Sequence, residues 1–114
     1  MDEKNYEIAF QLIMNAGNSK SASVMAQEAA KKFDFDQAEQ HLKEAEQEMR
    51  TAHQCQIDMI QQEAQGTPVE VNIILVHAQD HLTMAMMAME QARELIEVYK
   101  ILHKLMKQGE FKNE

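Results

Sequence analysis

The sequence predicts an all-α protein, built as an up-down-up antiparallel bundle of three helices. The 114 residues include ten methionines, three glycines, one proline and no tryptophan, a composition that favours helix over sheet. Two short breaks divide the chain into segments of roughly 4–32, 35–65 and 68–108. Connections this short place consecutive helices antiparallel. We therefore expect a single domain over residues 1–114.

The first predicted helix has a less regular apolar pattern than the second. Its centre, Gly17-Asn18-Ser19, is a weak helix-forming stretch, which indicates either a local loosening or a close crossing of two helices. Its end is marked by two lysines, which suit the negative end of the helix dipole. Asp34, with Gln37 three residues later, then predicts the N-cap of the second helix.

The second predicted helix carries one apolar stripe with alternating spacings of three and four residues. Its other sides carry Gln, Glu and Lys. The stripe consists of Phe35, Ala38, Leu42, Ala45, Met49, Ala52, Gln56 and Met59. Gly66 follows and can adopt the left-handed conformation that ends a helix. Thr67 is predicted to cap the third helix, with Pro68 at its first position and Glu70 completing a capping box.

The third predicted helix has two apolar faces, whereas a three-helix monomer requires only one. At about 100° per residue, one face lies within roughly 40° of Asp80 and contains Ile73, Val76, Met84 and Met87. The other face is made of Val71, Ile74, Ala78, Leu82, Ala85, Met89, Ala92 and Ile96. A monomer core needs only one of these faces. The face around Asp80 is therefore surplus, and it predicts self-association.

Asp80 lies at the centre of the face predicted to self-associate. Burying a lone carboxylate costs several kcal/mol unless it is paired, protonated or bound to metal. Two interpretations remain open at this point. Either the helix turns Asp80 to solvent, or copies of Asp80 meet at an oligomer axis and share protons, water or a hard cation such as magnesium or calcium.

His77 and His81 are four residues apart and therefore lie on one side of the third helix. Such a pair can bind zinc, but the sequence offers no obvious third ligand. Ordinary hydrogen-bonded histidines are the common alternative. A neutral imidazole is also a competent nucleophile for phosphoryl groups near neutral pH. No Gly-rich phosphate loop and no G-x-S-x-G turn occurs in the sequence.

Composition excludes several partner classes. The formal net charge of −8 opposes binding to nucleic acid or anionic lipid. No apolar stretch approaches the roughly 20 residues that span a bilayer, and the N-terminus does not resemble a signal peptide. Cys55 is the single cysteine, so no internal disulfide is possible. We expect a cytoplasmic protein without membrane insertion.

The motif V-H-A-Q-D-H-L-T-M, early in the last of three helices, resembles the lactose/cellobiose class of enzyme IIA proteins. These are phosphocarriers of the bacterial sugar phosphotransferase system (PTS). The resemblance covers nearly the whole chain, including E-A-Q-G before the third helix. Val76 and Ala78 are more similar to the cellobiose and β-glucoside branch than to the lactose branch. The resemblance implies a homotrimer of three-helix subunits, nine helices in all.

The resemblance also implies roles for four residues. His77 matches the phosphorylated histidine, expected to react at Nε2, and Gln79 and His81 match neighbours that support the phosphoryl group. Asp80 matches the acid that gathers around a cation, magnesium or a similar ion, at the trimer axis. The implied partners are the general histidine phosphocarrier protein as donor and a cysteine of the cognate IIB component as acceptor. A non-catalytic adaptor bundle with a structural metal and a metal-dependent hydrolase are the competing hypotheses.

Overall fold

The chain forms three helices joined by two short connections. The computed structural model describes the backbone of residues 3–112 and the side chains of residues 3–109. Helix α1 spans Glu3–Lys31, α2 spans Phe35–Ala64 and α3 spans Ile73–Lys112, with no strand in this described part. The predicted all-α, three-helix architecture is confirmed, and the bundle is long and narrow, 69 × 20 × 19 Å.

Helix α1 is the central element, because it packs along both α2 and α3, whereas α2 and α3 share a smaller contact. Its buried positions are mostly small residues: Asn5, Ala9, Leu12, Ala16, Ser19, Ala22, Ser23, Ala26 and Ala30. Ser19 is fully buried, and its Oγ donates a 2.8 Å hydrogen bond to the carbonyl oxygen of Ala45 on α2. Helix α1 is therefore not loosened here, and its close contact with α2 is at Ser19, whereas a side chain at Gly17 would meet open space.

The first connection reverses the chain within three residues. Phe33 adopts the left-handed conformation at φ 62°, and its N–H donates to the carbonyl of Ala30, as in the usual glycine-ended helix terminus. The Phe33 ring stacks on His103 of α3 at a centroid distance of 4.5 Å. Asp34 caps α2, since its carboxylate accepts a 3.2 Å hydrogen bond from the backbone N–H of Gln37. This predicted cap is confirmed.

The second connection is longer than predicted. Gly66 takes a positive φ of 95° and ends α2, as expected. The Thr67 N–H, however, still donates to the carbonyl of Gln62 and so belongs to the C-terminus of α2. Residues 67–72 are not helical, and α3 begins at Ile73 instead of 68.

The cap of α3 is Asn72, which the sequence pattern did not predict. Its side-chain Oδ1 accepts a 3.0 Å hydrogen bond from the N–H of Leu75, and its carbonyl accepts one of 3.0 Å from the N–H of Val76. The capping box predicted at Thr67 and Glu70 is wrong. The histidine motif consequently begins in the first turn of α3, closer to the helix start than the sequence indicated.

The buried residues form two clusters along the bundle. The α2 stripe is confirmed, since its members at positions 38, 42, 45, 49, 52 and 59 are all buried. The far face of α3 is also confirmed, with Ala78, Leu82, Ala85, Ala92 and Ile96 at most 2% exposed. Val71 is an exception, because it precedes the helix and is 73% exposed. Within residues 3–112, no helix is long and apolar enough to cross a membrane.

Candidate functional site

Two imidazoles meet near the start of α3. The Nε2 atoms of His77 and His81 lie 3.0 Å apart, and the rings are edge-to-face with centroids separated by 4.4 Å. His77 is exposed, whereas His81 is half-buried. The Asn72 cap fixes the first turn of α3 and thereby the direction in which this pair leaves the helix.

The two Nε2 atoms are close enough for one hydrogen bond between the rings. A hydrogen bond between ring nitrogens requires one nitrogen to donate and the other to accept. When His81 donates from Nε2, the single Nε2 lone pair of His77 accepts that hydrogen bond, and it becomes free to attack once the His81 N–H turns to another acceptor. An accessible imidazole lone pair beside a second N–H donor suits attack on an electrophile that carries negative charge.

Gln79 lies on a different side of α3 from the histidine pair. Gln79 is two positions after His77 in the chain, which corresponds to about 200° around the helix. Its Oε1 accepts a 2.6 Å hydrogen bond from Nε2 of Gln56 on α2. The two amides border an open groove between α2 and α3, lined also by Met59, Ile60, Glu63, Val69, Val71 and Leu75. Within one subunit, the structure therefore does not bring Gln79 to His77.

Gln56 is a site residue that was not predicted from the sequence. A signal was present, because Gln56 is the one polar member of the otherwise apolar α2 stripe. A polar residue at a core-facing register position usually has a specific hydrogen-bond partner. The pattern could thus predict that Gln56 is paired, but it could not identify Gln79 as the partner.

Asp80 lies among exposed apolar side chains. The carboxylate is exposed, and on the same face Ile73 is 79% exposed, Val76 51%, Met84 47% and Met87 56%. Among the side chains described, no three His, Cys, Asp or Glu residues are grouped to hold a metal ion. Within residues 3–109, one subunit therefore groups no third ligand for a zinc site at His77 and His81 and no cation site at Asp80.

Cys55 lies on α2 next to Gln56 and packs against the core as a half-buried free thiol. Burial raises the pKa of the Cys55 thiol, and the nearby Asp58 carboxylate raises it further. A raised pKa lowers the thiolate fraction at neutral pH and so makes this cysteine a poor nucleophile. Cys55 is therefore a weaker candidate nucleophile than the two histidines.

Comparison with known proteins identifies the class of this site. Residues 7–100, which include both histidines, match the family described as "PTS system, Lactose/Cellobiose specific IIA subunit". The chain belongs to this family. It is therefore a phosphotransferase component, as the sequence motif predicted, and the match ends at residue 100, before the last turns of α3.

Individual relatives agree with this assignment. The chain is 41% identical over 100 residues to the lichenan-specific phosphotransferase enzyme IIA component of Bacillus subtilis, covering 88% of this chain and 91% of that protein. It is 35% identical over 98 residues to a lactose-specific IIA component of Lacticaseibacillus casei, covering 86% and 88%.

Solved structures share the fold. The cellobiose-specific enzyme IIA from Bacillus anthracis aligns with a TM-score of 0.87 and 38% identity, covering 91% of this chain and 95% of that one. The IIA component in the chitobiose IIA–HPr complex of Escherichia coli aligns with a TM-score of 0.77 and 33% identity, covering 90% and 99%. At this identity, the likeness extends to the family as well as the fold.

Proposed function

We propose that this chain accepts a phosphoryl group on Nε2 of His77 from the general histidine phosphocarrier protein and passes it to a cysteine of its cognate IIB component. The observation that carries the proposal is the exposed His77 imidazole, with a second ring nitrogen 3.0 Å from its own Nε2, inside the matched region. Relatives named for lichenan, cellobiose and lactose support uptake of a β-linked disaccharide. The Escherichia coli relative solved with HPr supports that donor.

The reaction consists of two in-line transfers. In the first, the Nε2 lone pair of His77 attacks phosphorus, the P–N bond to the donor histidine breaks, and the donor ring recovers its electron pair. In the second, the IIB thiolate attacks the same phosphorus, and the bond to His77 breaks. The group must leave again, so the site gains from binding the migrating phosphoryl group without over-stabilising it on His77.

His81 is suited to support the group during both transfers. Once a phosphoryl group occupies Nε2 of His77, the His81 Nε2–H can donate to a phosphoryl oxygen instead of to the His77 lone pair. A neutral imidazole donor is weaker than a guanidinium, which suits an intermediate that has to be released. We therefore assign His81 a supporting role at the transfer site.

The subunits are proposed to assemble as a homotrimer through the exposed α3 face around Asp80. Parallel α3 helices around a threefold axis would cover Ile73, Val76, Met84 and Met87. In that arrangement Gln79 belongs to the side of each subunit that faces its neighbour. If Gln79 supports the phosphoryl group, it does so across a subunit boundary, because it lies about 200° from His77 within its own helix.

A divalent cation, magnesium or a similar ion, is proposed at the trimer axis. Exposed Asp80 supplies one carboxylate per subunit on an apolar face, so three copies would supply three oxygen donors. Carboxylate oxygens are the ligands that hard cations prefer, so the donor set fits magnesium or calcium. A bound ion would offset the mutual repulsion of the three carboxylates and has no part in the transfer steps.

We further propose a cytoplasmic location, because the proposed donor phosphocarrier is a cytoplasmic protein. The net charge of −8 argues against nucleic acid as a partner. Contact with the membrane would then be indirect, through the IIB protein or domain of the sugar permease.

The proposal is tested with His77→Gln and, as a matched control, His53→Gln on the exposed side of α2. Each protein is incubated with phosphoenolpyruvate and the machinery that charges the general phosphocarrier. We expect one acid-labile, base-stable phosphate on wild type and on His53→Gln, and none on His77→Gln. Phosphate on His77→Gln, or none on wild type, would overturn the assignment, and the latter result would favour an adaptor bundle.

A further inference from the structure

A hydrogen bond between two glutamine side chains joins α2 to α3 at the edge of the open groove. Nε2 of Gln56 donates to Oε1 of Gln79 at 2.6 Å, and both residues are half-buried. On either side of Gln56 along α2, Ala52 is fully buried and Met59 is 6% exposed, so the backbone that carries the donor is held in the core. The donor therefore belongs to a rigid part of α2, whereas its acceptor lies on the helix that carries the histidine pair.

Packing alone does not require a glutamine at position 56. The other stripe positions of α2 that are buried in this part of the helix, 42, 45, 49, 52 and 59, are all apolar. Removing a polar group from water costs free energy unless it is hydrogen-bonded, and an apolar pair at positions 56 and 79 would avoid that cost. The amide pair is therefore better explained by what Gln56 does to the Gln79 side chain than by a gain in stability.

The hydrogen bond sets the direction of the Gln79 amide. An amide carries an oxygen that accepts hydrogen bonds and an NH2 group that donates them, and the two point away from each other in one plane. Because Gln56 donates to the oxygen, the NH2 group of Gln79 is turned away from the Gln56 amide. Without Gln56, the Gln79 amide would be free to rotate about its last bond and to present its oxygen instead. Gln79 thus presents donors on the side that Gln56 does not cover.

The proposed homotrimer places these donors beside a histidine of the next subunit. When Asp80 faces the axis, His77 lies about 60° to one side of it and Gln79 about 100° to the other side, at about 100° per residue. In a closed ring of identical subunits, one side of each subunit meets the opposite side of the next. The Gln79 NH2 group of one subunit and the His77 ring of its neighbour therefore belong to the same subunit boundary.

We propose that Gln56 is a positioning residue for phosphoryl transfer, because it holds the Gln79 amide with its NH2 group directed at the phosphoryl group on His77 of the neighbouring subunit. The inference rests on the proposed function and the proposed homotrimer, and it adds a residue of α2 to the transfer site. The oxygens of a phosphoryl group are negatively charged acceptors, so a rotated Gln79 amide would set oxygen against oxygen. Gln56 does not touch the migrating group and acts only through Gln79.

The experiment uses the full chain and compares Gln56→Met with Gln54→Met, each in the wild type and in a Gln79→Met background. The two substitutions are matched, because Nε2 of Gln54 also donates one side-chain hydrogen bond, to Asp58 at 2.8 Å, but on the exposed side of α2. The initial rate of His77 phosphorylation is measured at one limiting concentration of the phosphorylated general phosphocarrier. Ordering one freed side chain costs roughly threefold to tenfold, so we expect Gln56→Met to slow transfer by that factor and Gln54→Met to leave the rate unchanged.

The Gln79→Met background separates positioning from a structural role. If Gln56 acts through Gln79, Gln56→Met causes no further slowing in a protein that already lacks Gln79. Methionine continues the apolar stripe of α2, so Tm at one protein concentration should not fall in Gln56→Met, whereas a merely structural glutamine would lower Tm when it is lost. Equal rates for Gln56→Met and Gln54→Met, equal slowing in both backgrounds, or a wild-type rate in Gln79→Met would each overturn the inference.

A spectroscopic measurement keeps the inference testable if Gln56→Met folds poorly. In ¹⁵N-labelled protein, the side-chain NH2 resonances of Gln79 are those that disappear in Gln79→Met. Phosphorylation of wild type should shift these resonances downfield, because the NH2 group then donates to a charged oxygen, and should leave those of Gln54 in place. Unchanged Gln79 resonances in phosphorylated wild type would refute the positioning role and leave phosphorylation of His77 intact. A wild type that takes up no phosphate would instead refute the proposed function itself.

Discussion

The Asn72 cap decides where α3 begins, and its removal tests that start directly. Asn72→Ala removes the side-chain oxygen that accepts a 3.0 Å hydrogen bond from the Leu75 N–H. The N–H group then has water as its only partner, and the first turn of α3 frays more readily. We expect a less stable protein whose loss is confined to the helix end that carries His77.

The size of the effect follows from loss of the cap. Replacing an asparagine N-cap by alanine costs about 1 kcal/mol. For a domain of this length, that free energy lowers Tm by roughly 4 °C. Tm is measured by circular dichroism at 222 nm, with all proteins at one concentration because Tm of an oligomer depends on it.

Thr67→Ala is the matched control, because the sequence pattern placed the cap there. In the structure the Thr67 backbone N–H closes α2 onto Gln62, and alanine retains that N–H. We expect Thr67→Ala to change Tm by less than about 1 °C, within the usual range for surface substitutions. A loss at Thr67 equal to or greater than the loss at Asn72 would refute a helix start at Ile73.

Two further predictions concern Asp80 and Cys55. Asp80→Leu removes the proposed repulsion between carboxylates at the axis and adds an apolar side chain to the face, so its trimer should be at least as stable as that of wild type. A chelator should lower the Tm of wild type and leave the Tm of Asp80→Leu unchanged. Equal chelator sensitivity, or dissociation of Asp80→Leu to monomers, would place Asp80 away from the axis. Because burial raises the pKa of Cys55, its thiolate fraction at about pH 8 is reduced, and iodoacetamide should alkylate it at least threefold more slowly than a free cysteine peptide. An equal rate in the folded protein would show that the thiol is not shielded.

Helical periodicity and caps predicted most of the fold. The Asp34 cap depends on residues within one turn, and the α2 stripe and the far face of α3 depend on which residues share a side of their own helix. A pattern of spacings records both directly. The start of α3 was wrong because two local signals competed. Thr67 and Pro68 have the form of a cap, yet the Thr67 N–H was already required to finish α2. Thr67 could either end α2 or begin α3. The choice depends on how both helices pack, and spacing within one short segment does not record that packing.

The candidate site was predicted in part. The four-residue spacing of His77 and His81 predicted that the rings lie on one side of the helix, and the structure has their Nε2 atoms 3.0 Å apart. The pairing of Gln79 with Gln56 joins residues on different helices, so spacing within α3 could not predict it. The role of Asp80 depends on other copies of the chain, and no property of one chain fixes it.

The small residues of α1 have a consequence for which substitutions the protein tolerates. Ala9, Ala16 and Ala26 are fully buried, and Ser19 and Ser23 are buried as well, so side-chain volume, more than apolar character, is restricted along this helix. Alanine-to-serine changes there keep the volume and can bond to a backbone carbonyl, as Ser23 does to Ser19. A change from alanine to leucine on α1 would push α2 or α3 away from α1. Since α3 carries both the histidine pair and the assembly face, natural variants that enlarge α1 would be expected to alter phosphoryl transfer and association together.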